Sequence, residues 1–508
     1  MSTETAPDTL KTAGLERLST ATLSRLPAAV GRPTYDRAKV TPGIVHLGIG
    51  AFCRAHLGVF TDEVLAKAAK DGSALDWGIV GVDLLAPDMR AALKPQDCLY
   101  TLMRRIDGVD RLQVIGSFLD VVTTVEGDDE VLSLMVSPKI RIVTLTVTEK
   151  GYCQDAATGR LDESHPGIRA DLANPRRPKT APGLIVEALR LRRAAGVAPF
   201  TVLSCDNLAQ NGKTARRIVT RFADLVDADL GRFVEREVSF PCTMVDRITP
   251  ATKDPDKAAV TAGLGLVDAW PVVTEPFRQW VIEDRFPLGR PAWEKAGAIL
   301  VDDVHPFETM KLRCLNGAHS TLAYLSVLLG VETVAGAMAD ADIPRVLRRL
   351  WDEDIIATVP PVPGTDVTAY THELEKRFVN PEIRHLTIQI SSDGSQKLGP
   401  RLLEAAGEIF ARGGRPKIVP LAVAAWMRFL LGTDGSGRNW TVADPMAERL
   451  TGLARANAGS PEAFVDALLA VHEIFPAELA GNARFRSDVV GFVARIAADG
   501  VRKTLASL

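Results

Sequence analysis

Residues 43–70 constrain the fold more than any other stretch of this chain. Residues 44–47 (IVHL) read as a short buried strand. Gly48-Ile49-Gly50 then breaks it, and residues 54–70 (RAHLGVFTDEVLAKAAK) carry helical spacing and good helix formers. A strand that turns on glycine straight into a helix is the opening of a parallel crossover unit. The alternation continues downstream. Residues 77–83 (WGIVGVD), 140–147 (IRIVTLTV) and 200–205 (FTVLSC) read as further strands, and 183–195 and 212–225 as helices. Residues 99–104 and 112–115 flank Asp107-Gly108, a hairpin signal. Residues 151–182 form a long loop punctuated by Pro and Gly. Together these elements predict an α/β fold whose doubly wound parallel sheet is covered on both faces.

The character changes after about residue 300. Residues 310–329, 334–340, 343–351, 402–412, 422–431, 445–456, 461–474 and 488–506 all show helical periodicity. The expected division is therefore a sheet domain over residues 1–300, led by a mostly irregular polar arm (residues 1–40), and a mainly α-helical domain over residues 301–508.

Composition removes several functional classes. Lys plus Arg total 60 and Asp plus Glu 63, so the net charge of -3 offers no basic excess for nucleic acid or an anionic membrane. The most apolar long stretch, residues 322–339, is interrupted by Glu332 and two glycines and reads as a buried helix. The six cysteines contain no C-x-x-C pair, which argues against a structural zinc or disulfide framework. Free thiols and the lack of a secretory leader pattern point to a cytoplasmic protein.

The glycine turn suggests a nucleotide. Gly48 permits a tight turn, and Gly50 lets the backbone approach a pyrophosphate at the start of a helix, with Ala51 and Phe52 following. A bare G-x-G also serves simply as a turn; its strand–turn–helix setting is what favours the nucleotide. Asp83, at the end of the second strand, is placed to bond a ribose 2′-hydroxyl and to repel a 2′-phosphate, which favours NAD over NADP. Its alternative role is to cap a helix or turn. Glu149 and Asn207 follow two further strands, at the edge where open α/β sheets bind ligands.

The densest polar cluster in an apolar setting is residues 308–320 (ETMKLRCLNGAHS). Treated as one α-helix, it projects Glu308, Lys311, Asn316 and His319 into an arc of about 140° that also holds Leu312 and Leu315. Such a face is interior and polar at once. Its groups suit reduction of a ketone. A desolvated ammonium (Lys311) exchanges a proton with the carbonyl oxygen, an amide (Asn316) stabilises the developing alkoxide, His319 orients a hydroxyl and Glu308 relays the proton. Singly, each residue also has a bland role: a Lys–Glu helix pair, an Asn beside a glycine, a satisfied core His.

These segments carry a resemblance. Residues 48–56 (GIGAFCRAH) resemble the G-x-G-x-F-H-R-A-H element of the mannitol dehydrogenase family. Residues 311–320 (KLRCLNGAHS) resemble its K-x-x-x-x-N-x-x-H signature. The similarity extends over nearly the whole chain after about residue 30. The segments FPCTMVDRI (240–248), EPFRQWVIED (275–284) and QISSDGSQKL (389–398) look more like fructuronate reductases than mannitol dehydrogenases.

The resemblance implies a Rossmann-type N-terminal domain, a helical C-terminal domain and substrate in the cleft between them. It implies NAD, no metal, and often a monomer. Lys311 becomes the general acid/base, Asn207 and Asn316 the oxyanion-stabilising pair, and His319 and Asp246 substrate contacts. Two departures stand out: Cys53 replaces the usual His, and Gln389 stands where polyol-specific members carry Arg. A uronate still needs a cation; Lys397 is the expected one, while Arg384 and His385 read as surface. The expected reaction is reversible reduction of D-fructuronate to D-mannonate. A polyol dehydrogenase, a tagaturonate reductase and a non-catalytic NAD-binding sensor are the alternatives.

Overall fold

The computed structural model describes residues 14–106, 108–155, 158–381, 384–434 and 437–508. Residues 1–13 of the expected arm and Asp107 of the expected hairpin turn lie outside the described residues. Contacts divide the chain between Val304 and His305 into two compact units.

The first unit carries β1 (Pro42–Leu47), β2 (Gly78–Asp83), β3 (Tyr100–Ile106), β4 (Val109–Ile115), β5 (Phe118–Thr123), β6 (Ile142–Leu145), β7 (Thr201–Ser204), β8 (Thr243–Asp246), β9 (Val272–Thr274), β10 (Gln279–Glu283) and β11 (Ile299–Val301). Five of these form an all-parallel sheet in the order β5-β2-β1-β6-β7. Successive side chains of β1 face opposite ways, as strand geometry requires. Val45 and Leu47 enter a core completed by the Ala181–Ala194 and Asn211–Val226 helices; Ile44 enters another, completed by α1 (Ala51–Ala55) and α2 (Leu57–Asp71). Burial on both faces explains why the strands are apolar almost throughout rather than alternating.

Two three-stranded sheets flank this one, β11-β10-β8 and β4-β3-β9, each mixing parallel and antiparallel pairing. The described part of the N-terminal arm, from residue 14, is irregular apart from two 3₁₀ turns and isolated bridges, yet it is anchored: Leu18, Leu26 and Val30 are buried against Val114 and Val260. The expected loop at 151–182 also contains a helix, Pro166–Ala173, which Pro starts at its first position.

The second unit is helical. Its central element is not the uninterrupted α-helix that the sequence suggests. His305–Met310 is α-helical, Lys311–Asn316 is a π-helical turn, and Gly317–Leu329 is α-helical again. Two more π-turns, Leu350–Ile355 and Gly399–Leu403, contribute side chains that bond to the first. Trp351 Nε1 donates to the Cys314 carbonyl at 2.8 Å, and Arg401 Nη1 to the Asn316 carbonyl at 3.4 Å. Those carbonyls are among the groups that a wide turn must satisfy from outside. Sequence periodicity also missed the Val367–Phe378 helix, whose N-cap Asp366 accepts the amides of Thr368 and Ala369.

Candidate active site

The strand order of the parallel sheet reverses direction between β1 and β6, since β2 and β5 lie on one side and β6 and β7 on the other. Open α/β sheets bind ligands at such a point, beyond the carboxyl ends of the strands. The Gly48–Phe52 turn follows β1 there. Asp83 ends β2, Glu149 follows β6 and Asn207 follows β7. Four groups singled out by sequence thus lie at the same edge of four adjacent strands.

The two glycines of the turn do different work. Gly48 has φ +89°, and a Cβ there would come within 2.3 Å of the Thr146 carbonyl oxygen. The chain itself needs glycine at 48. Gly50 has φ -109°, and the nearest atom to an added Cβ is 3.9 Å away. Nothing in the folded chain demands glycine at 50, so the empty space there is available to a ligand. Below the turn, His46 sits wholly buried, with Nδ1 2.7 Å from the Thr144 hydroxyl and Nε2 2.8 Å from that of Thr146. Burial pushes the imidazole down to about 4, so it is neutral near pH 7. Cys53 is no reactive thiol. Its Sγ donates to the Gly50 carbonyl at 3.3 Å, and burial pushes the thiol up to about 12.

Asp83 is half-buried, which raises its carboxyl above the ordinary carboxylate value, and its Oδ2 accepts the Met89 amide at 2.9 Å. The capping role weighed for it in the sequence is therefore present, with backbone hydrogen bonds from Met89, Arg90 and Ala86 lowering the carboxyl against the effect of burial. Glu149 and Asn207 are both exposed at the sheet edge. Behind them lies Asp206, which sequence reasoning passed over. Its carboxylate accepts the amides of Thr148 (2.8 Å) and Val147 (3.2 Å) and the Tyr152 hydroxyl (2.8 Å). Desolvation raises it to about 6 against those bonds. Asn211 clamps the same region, donating to the carbonyls of Ser204, Asp206 and Thr243. Asp246 is buried at the end of β8, in register with Gln279 of β10.

In the second unit, Glu308, Lys311, Asn316 and His319 are all buried, with 6–8% of each side exposed to solvent. The His319 ring stacks on Phe378 (centroids 4.5 Å apart) and meets His385 edge-on at 5.3 Å. Its Nε2 is buried without a hydrogen-bond partner among the described residues. Burial depresses the imidazole well below its usual value, and His385, Arg401, Arg377 and Lys311 push it further the same way. His319 is accordingly a neutral ring in a cationic surround.

The surface role expected for His385 is corrected by this geometry, because its ring packs against His319 and is only partly exposed. Arg384 does lie outside, two-thirds exposed and paired with Glu332 at 3.6 Å. Lys397 is partly buried, with Nζ donating to the Ser392 carbonyl at 2.7 Å and facing Asp393 at 3.5 Å. Arg401 was missed in the sequence. Its only cue was a cation four residues beyond Lys397 in a run ending KLGPR.

Among the described residues, no cluster of three or more His, Cys, Asp or Glu side chains is arranged to hold a metal ion, and no helix is long and apolar enough to cross a membrane.

A dinucleotide-type sheet edge in one unit and a buried Lys–Asn–His set in the other define an oxidoreductase of the Rossmann class. Residues 42–295 match the mannitol dehydrogenase Rossmann domain and residues 303–503 the mannitol dehydrogenase C-terminal domain, so the chain belongs to the mannitol dehydrogenase family. It is 42% identical over 489 residues to the D-mannonate oxidoreductase of Escherichia coli K12, covering 96% of this chain and 99% of that one. It is 44% identical over 430 residues to a mannitol 2-dehydrogenase of Cereibacter sphaeroides, covering 83% and 89%. Pseudomonas fluorescens mannitol 2-dehydrogenase, solved as a ternary complex with NAD and D-mannitol, superposes with a TM-score of 0.84 at 39% identity, over 97% of this chain and 99% of that one.

Proposed function

We propose that this protein catalyses the NAD-dependent, reversible reduction of D-fructuronate to D-mannonate, without a metal. The observation that carries the reading is the π-helical turn that buries Lys311 and Asn316 beside His319, whose Nε2 has no hydrogen-bond partner among the described residues. A buried imidazole nitrogen left without a hydrogen bond costs free energy that a ligand hydroxyl can recover.

The open space at Gly50, the switch-point position of the turn and the carboxylate at Asp83 fit a dinucleotide with a free ribose 2′-hydroxyl. When bound, NADH supplies the hydride. Gly48, Gly50, Ala51 and Phe52 form the turn that would hold the pyrophosphate, Asp83 would bond the ribose, and Glu149 is a further contact at that edge.

Lys311 gives its proton to the substrate's carbonyl oxygen in reduction and takes it from the hydroxyl in oxidation. The Asn316 amide donates to the oxygen as charge develops on it, a task that Asn207 shares. Glu308, one turn before Lys311, returns the proton to solvent. Neutral His319 offers Nε2 to a substrate hydroxyl, and Asp246 is a further substrate contact.

The acid is favoured over a neutral polyol by the cations that act on His319, namely Arg401, Arg377 and Lys311. The relatives named for mannitol favour the rival, a polyol dehydrogenase; tagaturonate reduction is a close variant. The test is NADH oxidation measured side by side with D-fructuronate, D-tagaturonate and D-fructose. A clear preference for D-fructose would replace the substrate and keep the mechanism. Binding of NADH with turnover of none of the three would leave a non-catalytic sensor.

A further inference from the structure

We infer that Arg401 is the residue that binds the carboxylate of the substrate, and so separates sugar acids from neutral sugars at this site. The inference rests on the reading just given and moves the anion-binding role from Lys397 to Arg401.

The π-turn Gly399–Leu403 lays Arg401 against the start of the Gly317–Leu329 helix. Its Nη1 donates to the Ser320 hydroxyl at 2.9 Å and, more loosely, to the Asn316 carbonyl at 3.4 Å. The guanidinium is thereby tied to the Asn316 carbonyl before His319 and the Ser320 hydroxyl after it.

Three other cations of this unit already have a carboxylate partner. Arg313 is buried against Glu408 at 2.6 Å, Lys397 faces Asp393, and Arg384 pairs with Glu332. Arg401 has no ion pair with any carboxylate among the described residues. Among the described residues, Tyr324 and Asp393 are the acidic groups that act on it favourably, and desolvation outweighs both, lowering it to about 10. A largely buried cation with no counter-ion is an unfavourable arrangement in the free protein, and a ligand that brings the missing charge relieves it.

The geometry also suits the ligand. With Nη1 bonded to the helix, Nε and Nη2 remain as the side-on pair that fits the two oxygens of a carboxylate. A compact ammonium such as that of Lys397 offers no such fork. A ketose ending in a hydroxymethyl group would leave the guanidinium without its counter-charge, so discrimination would come from both the bond made and the charge left bare.

The test compares Arg401→Met, Arg401→Lys and the unaltered enzyme in steady-state reduction of D-fructuronate and D-fructose with NADH. Thermal melting and NADH fluorescence titration check folding and coenzyme binding. For Arg401→Met, KM for D-fructuronate should rise on the order of 100-fold, the scale of a lost charge-assisted pair, and far less for D-fructose. Arg401→Lys should recover part of the acid preference. If the Met variant does not fold, Arg401→Lys decides alone, with a raised KM confined to the acid expected. Equal losses on both substrates, or no loss on D-fructuronate, would overturn the assignment while leaving the reaction standing. Failure of the unaltered enzyme to reduce D-fructuronate at all would sink the reaction itself, and this assignment with it.

Discussion

The carboxylate of Asp206 holds the amide of Thr148 at 2.8 Å while Thr148 itself is left-handed, with φ +62°. A β-branched residue rarely adopts that conformation, and holding it there costs about 1–3 kcal/mol that surrounding bonds must offset. The strained turn lies at the sheet edge, directly before Glu149. Removing the acceptor with Asp206→Ala should let it relax, raising KM for NADH and lowering the melting temperature. The pH dependence has a definite sign. Asp206 is raised from 3.8 to about 6, so its contribution to stability is present below pH 4 and lost as pH rises through 6. Urea melts of Asp206→Asn across pH 4–7 should lack that slope. An identical slope in the variant would assign it to another group, with Asp62, also raised to about 6, the first to examine.

Gly48→Ala and Gly50→Ala should fail in different ways. The first forces a Cβ against the Thr146 carbonyl in a left-handed turn, so both stability and NADH binding should drop. The second meets nothing in the folded chain, so its melting temperature should hold while NADH affinity falls at least about tenfold. Calorimetry and coenzyme titration on the two proteins decide this. Unimpaired NADH binding in Gly50→Ala would remove the pyrophosphate from that turn.

Lys311→Ala should lower kcat by about 10²–10⁴-fold, the usual share of a positioned acid/base, with NADH binding largely kept. Pre-steady-state and steady-state NADH oxidation give the measurement. Activity within a few-fold of the unaltered enzyme would assign the proton to a different group.

His46 should make the protein acid-sensitive. Its folded value is depressed from 6.5 to about 4, so the unfolded chain binds the extra proton, and stability is lost as pH falls from about 6.5 to 4. The full effect is about 3 kcal/mol at roughly 1.4 kcal/mol per unit. His46→Gln should be less stable at pH 7, since it disturbs the bonds to Thr144 and Thr146, yet lose less on acidification. Denaturant melts of both proteins between pH 4 and 7 test the difference in slope.

The sheet was legible because both its faces are buried. Residues such as Val45, Leu47, Val143 and Val202 had to be apolar, and the glycines after β1 had to break the run. The Lys311–His319 cluster was legible as polarity in an apolar setting. Its geometry was not. A projection at 100° per residue assumes a regular helix, and no local propensity of KLRCLN announces a π-turn, which depends on distant donors such as Trp351 and Arg401. Asp206 was passed over beside Asn207, because its partners at Val147 and Thr148 are almost sixty residues earlier. His385 looked like surface because the residues around it are polar, and only tertiary packing brings it to His319.

The wide turn at Lys311–Asn316 makes this site sensitive to counting. Regular helix on either side would tolerate many substitutions, but deleting one residue between them would restore ordinary pitch and change which of the Lys311–Asn316 side chains the turn presents beside His319. Single-residue indels here would therefore extinguish activity while every chemically competent side chain stays in the chain. Two homologues could share all of those letters and differ in whether they work.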